Sequence, residues 1–366
     1  MTQLHGKQAL TYDDIQLIPA FSGIDSRQNI NLTTKLTTNY SIRVPFVASP
    51  MDTVCDSEMA IAMAELGGVG IIHRFMTIEE QGAQVHRVKM AVDAGIAVTY
   101  FANIDNMSGM DEWEASFKRM RQVPIAAAIG ANGDYFERAF ELVTKGANII
   151  LIDVAHGFHT FVRDALMRLK KELPSNVDII AGNVATAKAA QSLQDWGADA
   201  IRVGIGGGSL CTTRIKTGFG VPNVTSLEDC AKVVSVPVLA CGGIRNSGDI
   251  AKALAVGADS VILGSLLAGT KEAPGPIIEK PNGLYKRYRG AASLETKSVH
   301  GQAKRNVEGE STIVPFKGKV KFVVDGLTDG LRSALSYAGA RNLEEFLPEY
   351  VVVTGAGMAE ARPHLL

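Results

Sequence analysis

The chain has 366 residues, of which 46% are hydrophobic and 20% are charged, and its formal net charge is −1. These values are ordinary for a globular protein and exclude a disordered or fibrous chain, and the near-zero charge argues against a nucleic-acid surface. The length fits one α/β barrel, which usually takes about 250 residues and often more with insertions.

Four cysteines, Cys55, Cys211, Cys230 and Cys241, lack the paired spacing of a disulfide framework or a zinc site, which favours a reducing compartment. The first residues, MTQLHGKQALTYDD, contain no apolar signal core. No stretch reaches the roughly 18–20 uninterrupted apolar residues of a membrane-spanning helix. We therefore expect a cytoplasmic protein with no membrane segment and no nucleic-acid partner.

Short apolar runs of strand length recur along the chain. They lie at 45–50, 68–73, 124–130, 148–155, 178–184, 200–205, 236–242 and 260–265. Most are separated by amphipathic helical patterns such as TAKAAQSLQDWGA, which close on Gly where a helix C-terminus favours it. Continuous apolar strands that alternate with helices indicate parallel strands buried on both faces. Eight such units predict an α/β fold, a (β/α)8 TIM barrel that forms a single catalytic domain over residues 1–366.

The active site of such a barrel lies at the carboxyl ends of its strands. The residues that follow the predicted strands are Met51-Asp52, His73-Arg74, Asp153 with His156, Asn183, Gly206 to Thr213, Cys241 to Gly243, and Gly264-Ser265. Any one of them alone is more simply a capping or turn residue. Their joint occurrence at strand ends predicts one pocket.

Two stretches interrupt the barrel pattern. The spacing over 74–123 is long, and residues 280–320 are rich in Lys, Arg, Gly and Glu. We interpret 280–320 as a mobile flap over the barrel mouth, with a disordered surface excursion as the alternative. The apolar segments GLTDGLRSALSYAGA and EYVVVTGAG then predict that the C-terminal part packs back onto the barrel.

The loop after the sixth predicted strand has the composition of a covalent-catalysis site. Gly206-Gly207-Gly208 force a turn, and Ser209, Cys211 and Thr213 follow it, ahead of the cations Arg214 and Lys216. A thiol beside cations and free backbone N–H groups is biased toward the thiolate, so Cys211 is a candidate nucleophile. The alternative is an ordinary Gly-rich turn in which the cysteine is a small buried hydrophobe.

Glycine-bearing loops late in the predicted barrel indicate a phosphate site. Barrel enzymes commonly hold phosphate with the loops after the seventh and eighth strands. Here Gly242-Gly243 and Gly264-Ser265 fall in these loops, and Ser209 can add a hydroxyl. A phosphorylated small substrate is predicted; the alternative is that these glycines serve only tight turns.

Several collinear motifs resemble the IMP dehydrogenase and GMP reductase family over nearly the whole chain. They are YDDIQLIPA, ASPMDTV, GGVGIIHRF, IDVAHG, AGNVAT, GIGGGSLCTTR, GGIRNSGDIAKAL, VILGSLLAGT, YRGAAS and SYAGA. The fold of that family is the (β/α)8 barrel. The resemblance implies that Cys211 attacks C2 of a purine nucleotide, GMP or IMP, and forms a covalent thioimidate. Hydride would pass to or from NAD(H) or NADP(H).

The resemblance also implies roles for individual residues. The implied substrate-binding residues are Ser49, Met51, Ser209, Cys241, Gly242, Gly243, Gly264, Ser265, Tyr288, Gly290 and Glu308. Contacts to the nicotinamide are implied for Asp153, Ala155 and Asn183, and the backbone carbonyls of Gly206, Gly208 and Cys211 would hold K⁺. Members of the family form homotetramers or octamers, which the resemblance implies here too.

The two activities of the family differ in the fate of the thioimidate. A dehydrogenase hydrolyses it with an Arg-Tyr pair of the flap, where this chain has Lys304-Arg305-Asn306. A reductase expels ammonia from GMP with the loop threonine and a flap glutamate, which Thr213 and Glu295 would supply. The lack of paired CBS modules resembles short reductases, whereas YRGAASL and GIIHRFMTIEEQ resemble dehydrogenases. We predict a GMP reductase; the alternative is an IMP dehydrogenase, in which Arg305 would act.

One position departs from the family pattern. The family has an aspartate before the paired glycines, where it accepts hydrogen bonds from the ribose hydroxyls, and this chain has Cys241. A thiol accepts poorly, and a lost charge-assisted hydrogen bond costs on the order of 1.5–3 kcal/mol. Either another carboxylate substitutes or the sugar is recognised differently. A third hypothesis, a purine-nucleotide-binding barrel without efficient turnover, also stays open.

Overall fold

Eight parallel strands close into a barrel in the computed structural model, which describes residues 8–96, 123–300, 307–355 and 357. The strands are β1 (Ile15–Leu17), β2 (Thr34–Lys35), β3 (Ser41–Ile42), β4 (Phe46–Ala48), β5 (Val69–Ile72), β6 (Ala126–Ile129), β7 (Ile149–Asp153), β8 (Asp178–Val184), β9 (Ala200–Val203), β10 (Val238–Cys241), β11 (Ser260–Leu263), β12 (Ile278–Lys280), β13 (Gly283–Arg289), β14 (Ser311–Pro315) and β15 (Tyr350–Val352). Within the barrel, each strand from β4 to β10 pairs with the next, and β11 closes the ring against β4. The barrel strands coincide with the predicted apolar runs, so the (β/α)8 prediction is confirmed.

Helices connect the barrel strands and pack on their outer faces, and two further helices follow the last barrel strand. They are α1 (Ser57–Glu65), α2 (Ile78–Ala91), α3 (Tyr135–Thr144), α4 (Thr160–Glu172), α5 (Ala187–Asp195), α6 (Thr213–Thr217), α7 (Asn223–Ala231), α8 (Ser247–Ala255), α9 (Leu294–Val299) and α10 (Val320–Ala338). Their ends follow local sequence signals. Thr77 and Glu80 form a capping box at the start of α2. Gly197 follows α5 with a positive φ of 102°, a backbone conformation that glycine adopts readily, where the sequence predicts the end of the helix.

Successive residues of each barrel strand point alternately into the barrel and out toward the helices. Leu239 of β10 and Ile262 of β11 belong to the interior cluster, whereas Ala240 and Val261 pack in the outer cluster. Branched and aliphatic side chains fill the interior, which is therefore a packed core rather than a channel. A ligand must consequently bind above this core, at the strand ends.

The region predicted as a flap contains a three-stranded antiparallel sheet of β12, β13 and β14, with α9 following β13. Its side chains anchor it to the barrel. The buried ammonium of Lys286 donates to the carbonyl oxygens of Thr270 and Lys271, each at 3.2 Å, and Tyr288 is only 5% exposed. The alternative of a disordered surface excursion is therefore wrong for the described residues 278–300 and 307–315.

The two ends of the described chain meet on the outside of the barrel. Strand β15 pairs antiparallel with β1, and Ile15 lies opposite Val352. Helix α10 packs so closely on α8 that a side chain at Gly330 would collide with Ser247. The prediction that the C-terminal segment packs back onto the barrel is confirmed.

A buried carboxylate is a further attachment between the barrel and the flap. The Asp52 side chain, 2% exposed, lies after β4, and its Oδ2 accepts from Arg289 Nε at 3.0 Å. The same oxygen is 2.9 Å from His300 Nε2, at the end of α9. The backbone N–H of Arg289 also donates to Thr53 Oγ1 at 3.2 Å. Both ends of the segment 289–300 are therefore held at one point of the barrel mouth.

Replacing Asp52 by Asn should lower the free energy of unfolding by about 2 kcal/mol or more, because the Arg289 guanidinium loses a buried anionic partner. Urea unfolding followed by circular dichroism measures the change. Asp325→Asn is the matched control, because Asp325 pairs with Lys321 at 2.8 Å with both side chains about half exposed, and such a pair contributes about 1 kcal/mol or less. Equal losses in the two variants would contradict the anchoring role of Asp52.

Candidate active site

A cleft of about 450 Å³ lies at the carboxyl ends of the barrel strands, bounded by the loop after β9 and by the flap. Such a volume suits a small-molecule ligand. The sequence-predicted residues that line it are Ser49, Met51, Asp153, Ala155, Asn183, Gly206, Gly208, Ser209, Cys211, Thr213, Cys241, Gly242, Gly243, Gly264, Ser265, Tyr288, Gly290 and Glu308. The structure thus brings these residues together, while their individual roles stay predictions.

Glycines allow two loops of the cleft to approach each other. Gly242, with φ of 95°, follows β10, and a Cβ there would lie 2.9 Å from the carbonyl carbon of Gly207. A Cβ at Gly243 would lie 2.7 Å from Asn223 Nδ2. Side chains at these positions would push the loops after β9 and β10 apart. The absence of Cβ atoms leaves the backbone of both loops accessible from the cleft.

The hydroxyl groups of Ser209 and Tyr288 lie beside the backbone of Gly264 at the end of the cleft near β10 and β11. The Ser209 hydroxyl lies 3.1 Å from the Tyr288 hydroxyl, and a Cβ at Gly264 would lie 3.1 Å from the same Tyr288 oxygen. Burial raises the pKa of Tyr288, although its hydrogen bond with Ser209 opposes the shift, so the phenol remains a proton donor. The loops after β9 and β11 and the Tyr288 hydroxyl of β13 converge in this way and form a suitable cradle for an anion.

Cys211 lies at the lip of the cleft in a chain of hydrogen bonds. Its Sγ donates to Thr213 Oγ1 at 3.2 Å, and Thr213 Oγ1 donates to Glu308 Oε2 at 2.7 Å. A backbone bridge between Cys211 and Gly309 holds the two segments side by side. The alternative of a buried cysteine is wrong, because Cys211 is partly exposed and lines the cleft, while its role as a nucleophile stays a prediction.

The predicted partnership of Thr213 with Glu295 requires correction. Glu295 does not line the cleft; its Oε1 lies 3.3 Å from Arg287 and 3.3 Å from Arg289. The carboxylate that accepts from the Thr213 hydroxyl is that of Glu308, which was predicted only as a substrate-binding residue. Backbone pairing, rather than spacing along the chain, determines which glutamate reaches the threonine.

One basic side chain of the flap, that of Lys297 in α9, lines the cleft together with Cys211. Alternation along β13 places Tyr288 in the cleft, whereas its neighbour Arg287 is 46% exposed and lies beside Glu295. Arg305, with the rest of the Lys304-Arg305-Asn306 stretch, lies outside the described residues.

The floor of the cleft contains three interior side chains, which come from β7, β9 and β10. Arg202 of β9, almost completely buried, donates from Nη1 to Asp153 Oδ1 at 2.5 Å and from Nε to Cys241 Sγ at 3.2 Å. Burial lowers the pKa of Arg202, but Cys241 and Asp153 more than offset this effect, so the pKa lies above its usual value. Arg202 was not predicted as a site residue, although a cation inside an apolar strand was the signal that could have identified it.

The opposite side of the ring offers a different surface. Strands β6 and β7 lie across the barrel from β10 and β11, and Arg74, Phe75, Asp153 and Ala155 line the cleft there. The Arg74 guanidinium lies 5.2 Å from the centroid of the Phe75 ring. Its Nε is buried with no hydrogen-bond partner among the described residues. A flat, polar ligand group fits an aromatic face beside an unpaired donor.

Three residues predicted at the strand ends do not line the cleft. Asp52 anchors the flap, His156 is exposed, and His73 is buried beneath the mouth. Burial lowers the pKa of His73 to about 4, so its ring is neutral at pH 7, and its Nδ1 accepts from the Phe75 N–H at 3.1 Å. Asp52 and His73 therefore have structural contacts in this fold.

Two other expectations can be compared with the described residues. No helix among them combines the length and apolar character needed to cross a membrane. They contain no group of three or more His, Cys, Asp or Glu side chains arranged to hold a metal ion. The K⁺ predicted at the carbonyls of Gly206, Gly208 and Cys211 would use different ligands and stays a prediction, as does the oligomeric state.

Comparison with known proteins relates the chain to one family. The model of the IMP dehydrogenase / GMP reductase domain matches residues 9–364. The chain is 41% identical over 385 residues to an inosine-5′-monophosphate dehydrogenase of Cryptosporidium parvum (98% of this chain, 95% of that protein). It is 33% identical over 479 residues to a GMP reductase of Leishmania major (98% and 97%). A GMP reductase variant of Trypanosoma brucei, crystallised with guanosine 5′-monophosphate, matches with a TM-score of 0.87 at 32% identity over 98% of both chains.

The four thiols should differ in their reactivity. Burial raises the pKa of Cys55 well above its usual value and that of Cys230 to about 12, whereas Cys211 and Cys241 line the cleft. Iodoacetamide at about pH 8 should therefore modify Cys211 and Cys241 while sparing the other two, because the thiolate is the reactive species. Mass spectrometry of tryptic peptides measures the labelling, and protein unfolded in guanidinium chloride, in which all four should react, is the control. Labelling of Cys230 ahead of Cys211 in the folded protein would contradict the described exposure.

Proposed function

The chain belongs to the IMP dehydrogenase / GMP reductase family, and we propose that it acts as a GMP reductase. In this reaction GMP loses its exocyclic amine as ammonia and gains a hydride at C2, which gives IMP. The nicotinamide of NADPH or NADH, when bound, supplies that hydride. The hydrogen-bonded chain of Cys211, Thr213 and Glu308 is the observation that carries the proposal.

The first step requires a thiolate and a proton donor. The Cys211 proton passes through Thr213 to Glu308, and the sulfur forms a bond with C2 of the purine while the electron pair of the C2=N3 double bond moves to N3. The proton then returns through Thr213 to the exocyclic amine, the double bond re-forms as the C2–N bond to that amine breaks, and ammonia leaves. One short relay thus serves both proton transfers, because its middle hydroxyl can accept and donate.

The second step restores the thiol group. C2 gains the hydride and the bond between carbon and Cys211 sulfur breaks, so that IMP leaves and the thiolate is regenerated. Because the original thiol proton has left with ammonia, the proton that restores the thiol comes from solvent. Each cycle therefore consumes one proton from solvent, and Cys211, Thr213 and Glu308 return to their starting states.

We assign the cleft residues to the two ligands according to the side of the barrel on which they lie. Ser209, Gly243, Gly264, Ser265 and Tyr288 hold the phosphate of the nucleotide, while Ser49, Met51, Cys241, Gly242 and Gly290 line its sugar and base. Asp153, Ala155 and Asn183 contact the nicotinamide, and Phe75 with the unpaired Nε of Arg74 supports that side. Anion binding by convergent backbone N–H groups and hydroxyls is the physical basis of the first assignment.

An IMP dehydrogenase is the second candidate. The relative from Cryptosporidium parvum, at 41% identity, is a dehydrogenase, whereas the reductase of Leishmania major is 33% identical. In that reaction the Cys211 sulfur would bond to C2 of IMP, C2 would give up its hydride to an oxidised nicotinamide, and water would displace the sulfur to release XMP. The relay through Thr213 would deprotonate this water, so the same relay suits either reaction. Assays in both directions therefore decide between the two activities.

The purified protein should oxidise NADPH when GMP is added and should not reduce NAD when IMP is added, as followed by absorbance of the reduced nicotinamide. Cys211→Ala should abolish turnover, because no other group supplies the covalent bond, while GMP binding measured by calorimetry persists. Reduction of NAD with IMP alone would establish the dehydrogenase instead. Turnover that survives in the Cys211→Ala variant would eliminate the covalent step.

The two flap glutamates give opposite predictions. Glu308→Gln should lower kcat by about a hundredfold or more, because the relay loses its carboxylate. Glu295→Gln should keep kcat within about threefold of the parent, since its carboxylate lies on Arg287 and Arg289 outside the cleft. Steady-state kinetics with GMP and NADPH measure both. A larger loss in the Glu295 variant would return the catalytic role to that residue.

A further inference from the structure

We propose that the cleft is built for a purine 2′-deoxynucleoside 5′-monophosphate in preference to the ribonucleotide, and that Cys241 sets this preference. The inference rests on the proposed function, because it concerns the sugar of the nucleotide whose base meets Cys211. The supporting observations are the contacts of Cys241 on the floor of the cleft and the pairing of the acidic residues of the cleft.

Cys241 lies where the sugar of such a nucleotide must pass. It ends β10, and the next residues, Gly242 and Gly243, expose their backbone at the phosphate end of the cleft. A Cβ at Gly242 would lie 2.9 Å from the nitrogen of Gly208, so the end of β10 abuts the loop that carries Cys211. A nucleotide with its phosphate at Gly243 and its base at Cys211 therefore spans the thiol of Cys241.

A thiol is a poor partner for ribose. The two adjacent hydroxyls of ribose donate two hydrogen bonds, which the oxygens of one carboxylate can accept together, whereas a thiol sulfur accepts weakly. The Cys241 sulfur already accepts from Arg202 Nε at 3.2 Å. A 2′-hydroxyl placed on it loses its water without gaining a strong acceptor, and a 2′-methylene has no such hydrogen bond to lose.

The other acidic groups of the cleft already have partners. Within the described lining, the acidic residues are Asp153 and Glu308. Asp153 Oδ1 lies 2.5 Å from Arg202 Nη1, and Glu308 Oε2 lies 2.7 Å from Thr213 Oγ1. Asp153 ends β7, three strands from β10, and the Arg202 guanidinium bonds both its carboxylate and the Cys241 sulfur. Moving that carboxylate toward the sugar would leave the buried guanidinium without its anionic partner. Neither acid therefore substitutes for the missing acceptor under the sugar.

Calorimetric titration of the purified full-length protein with GMP, dGMP, IMP and dIMP tests the preference. Each deoxynucleotide should bind with a Kd about tenfold lower than that of its ribonucleotide, as expected from one unmade hydrogen bond to a buried hydroxyl. Cys241→Asp should reverse the order, because Arg202 can pair with the new carboxylate while its second oxygen accepts from the ribose. Cys241→Ala is the matched control, because alanine also lacks a strong acceptor. It should weaken the binding of ribonucleotide and deoxynucleotide alike and keep the ratio of their Kd values within about threefold of that in the unmodified protein.

The outcomes separate the sugar preference from the proposed function. GMP binding as tightly as dGMP to the unmodified protein overturns the preference, and so does a Cys241→Ala variant that loses affinity for GMP alone. If none of the four nucleotides binds, the proposed function fails and the sugar preference fails with it. The comparison in the unmodified protein stands even where a variant does not fold.

Discussion

Closure of the barrel is the constraint on which the site depends. Because interior positions recur at every second residue and the ring has no edge, the last inward residue of each strand faces one shared mouth. Asp153, Arg202 and Cys241 therefore form a single layer although they come from three strands. An unpaired guanidinium at this depth would cost several kcal/mol, and the pairing with Asp153 removes most of that penalty. The fold therefore sets the arrangement of charges on the floor of the cleft independently of any ligand.

The candidate catalytic relay is assembled from segments far apart in the chain. Thr213 and Glu308 are 95 positions apart, and their side chains meet because the backbone of the flap lies against the loop after β9. The amide of Thr212 donates to the carbonyl of Glu308 at 2.9 Å, next to the bridge between Cys211 and Gly309. Main-chain pairing thus sets the position of the carboxylate within hydrogen-bonding reach of the threonine. The proposed chemistry consequently depends on correct docking of the flap as much as on the loop that bears the thiol.

The sequence predicts the barrel and most of the cleft because both follow from short-range patterns: apolar runs, helix stop signals and glycines at strand ends. It does not predict which glutamate reaches Thr213, since linear spacing favoured Glu295 while tertiary pairing selected Glu308. The flap sheet was missed for a related reason. Strand β13 buries Lys286 and exposes Leu284, which reverses the usual polarity of a strand, because carbonyl groups of a neighbouring turn satisfy the ammonium. Such compensation is visible only once the partners are adjacent in space.

The shared carboxylate of Asp52 has a consequence for movement of the flap. Arg289 and His300 bind the same oxygen, so both ends of the segment 289–300 must detach together if that segment moves outward. The stretch around Glu308 is attached separately, by its side chain on Thr213, by the Thr212 amide on its carbonyl oxygen and by the bridge between Cys211 and Gly309. A displacement that separates Glu308 from Thr213 would therefore interrupt the proposed relay even while Asp52 still holds the other part of the flap in place.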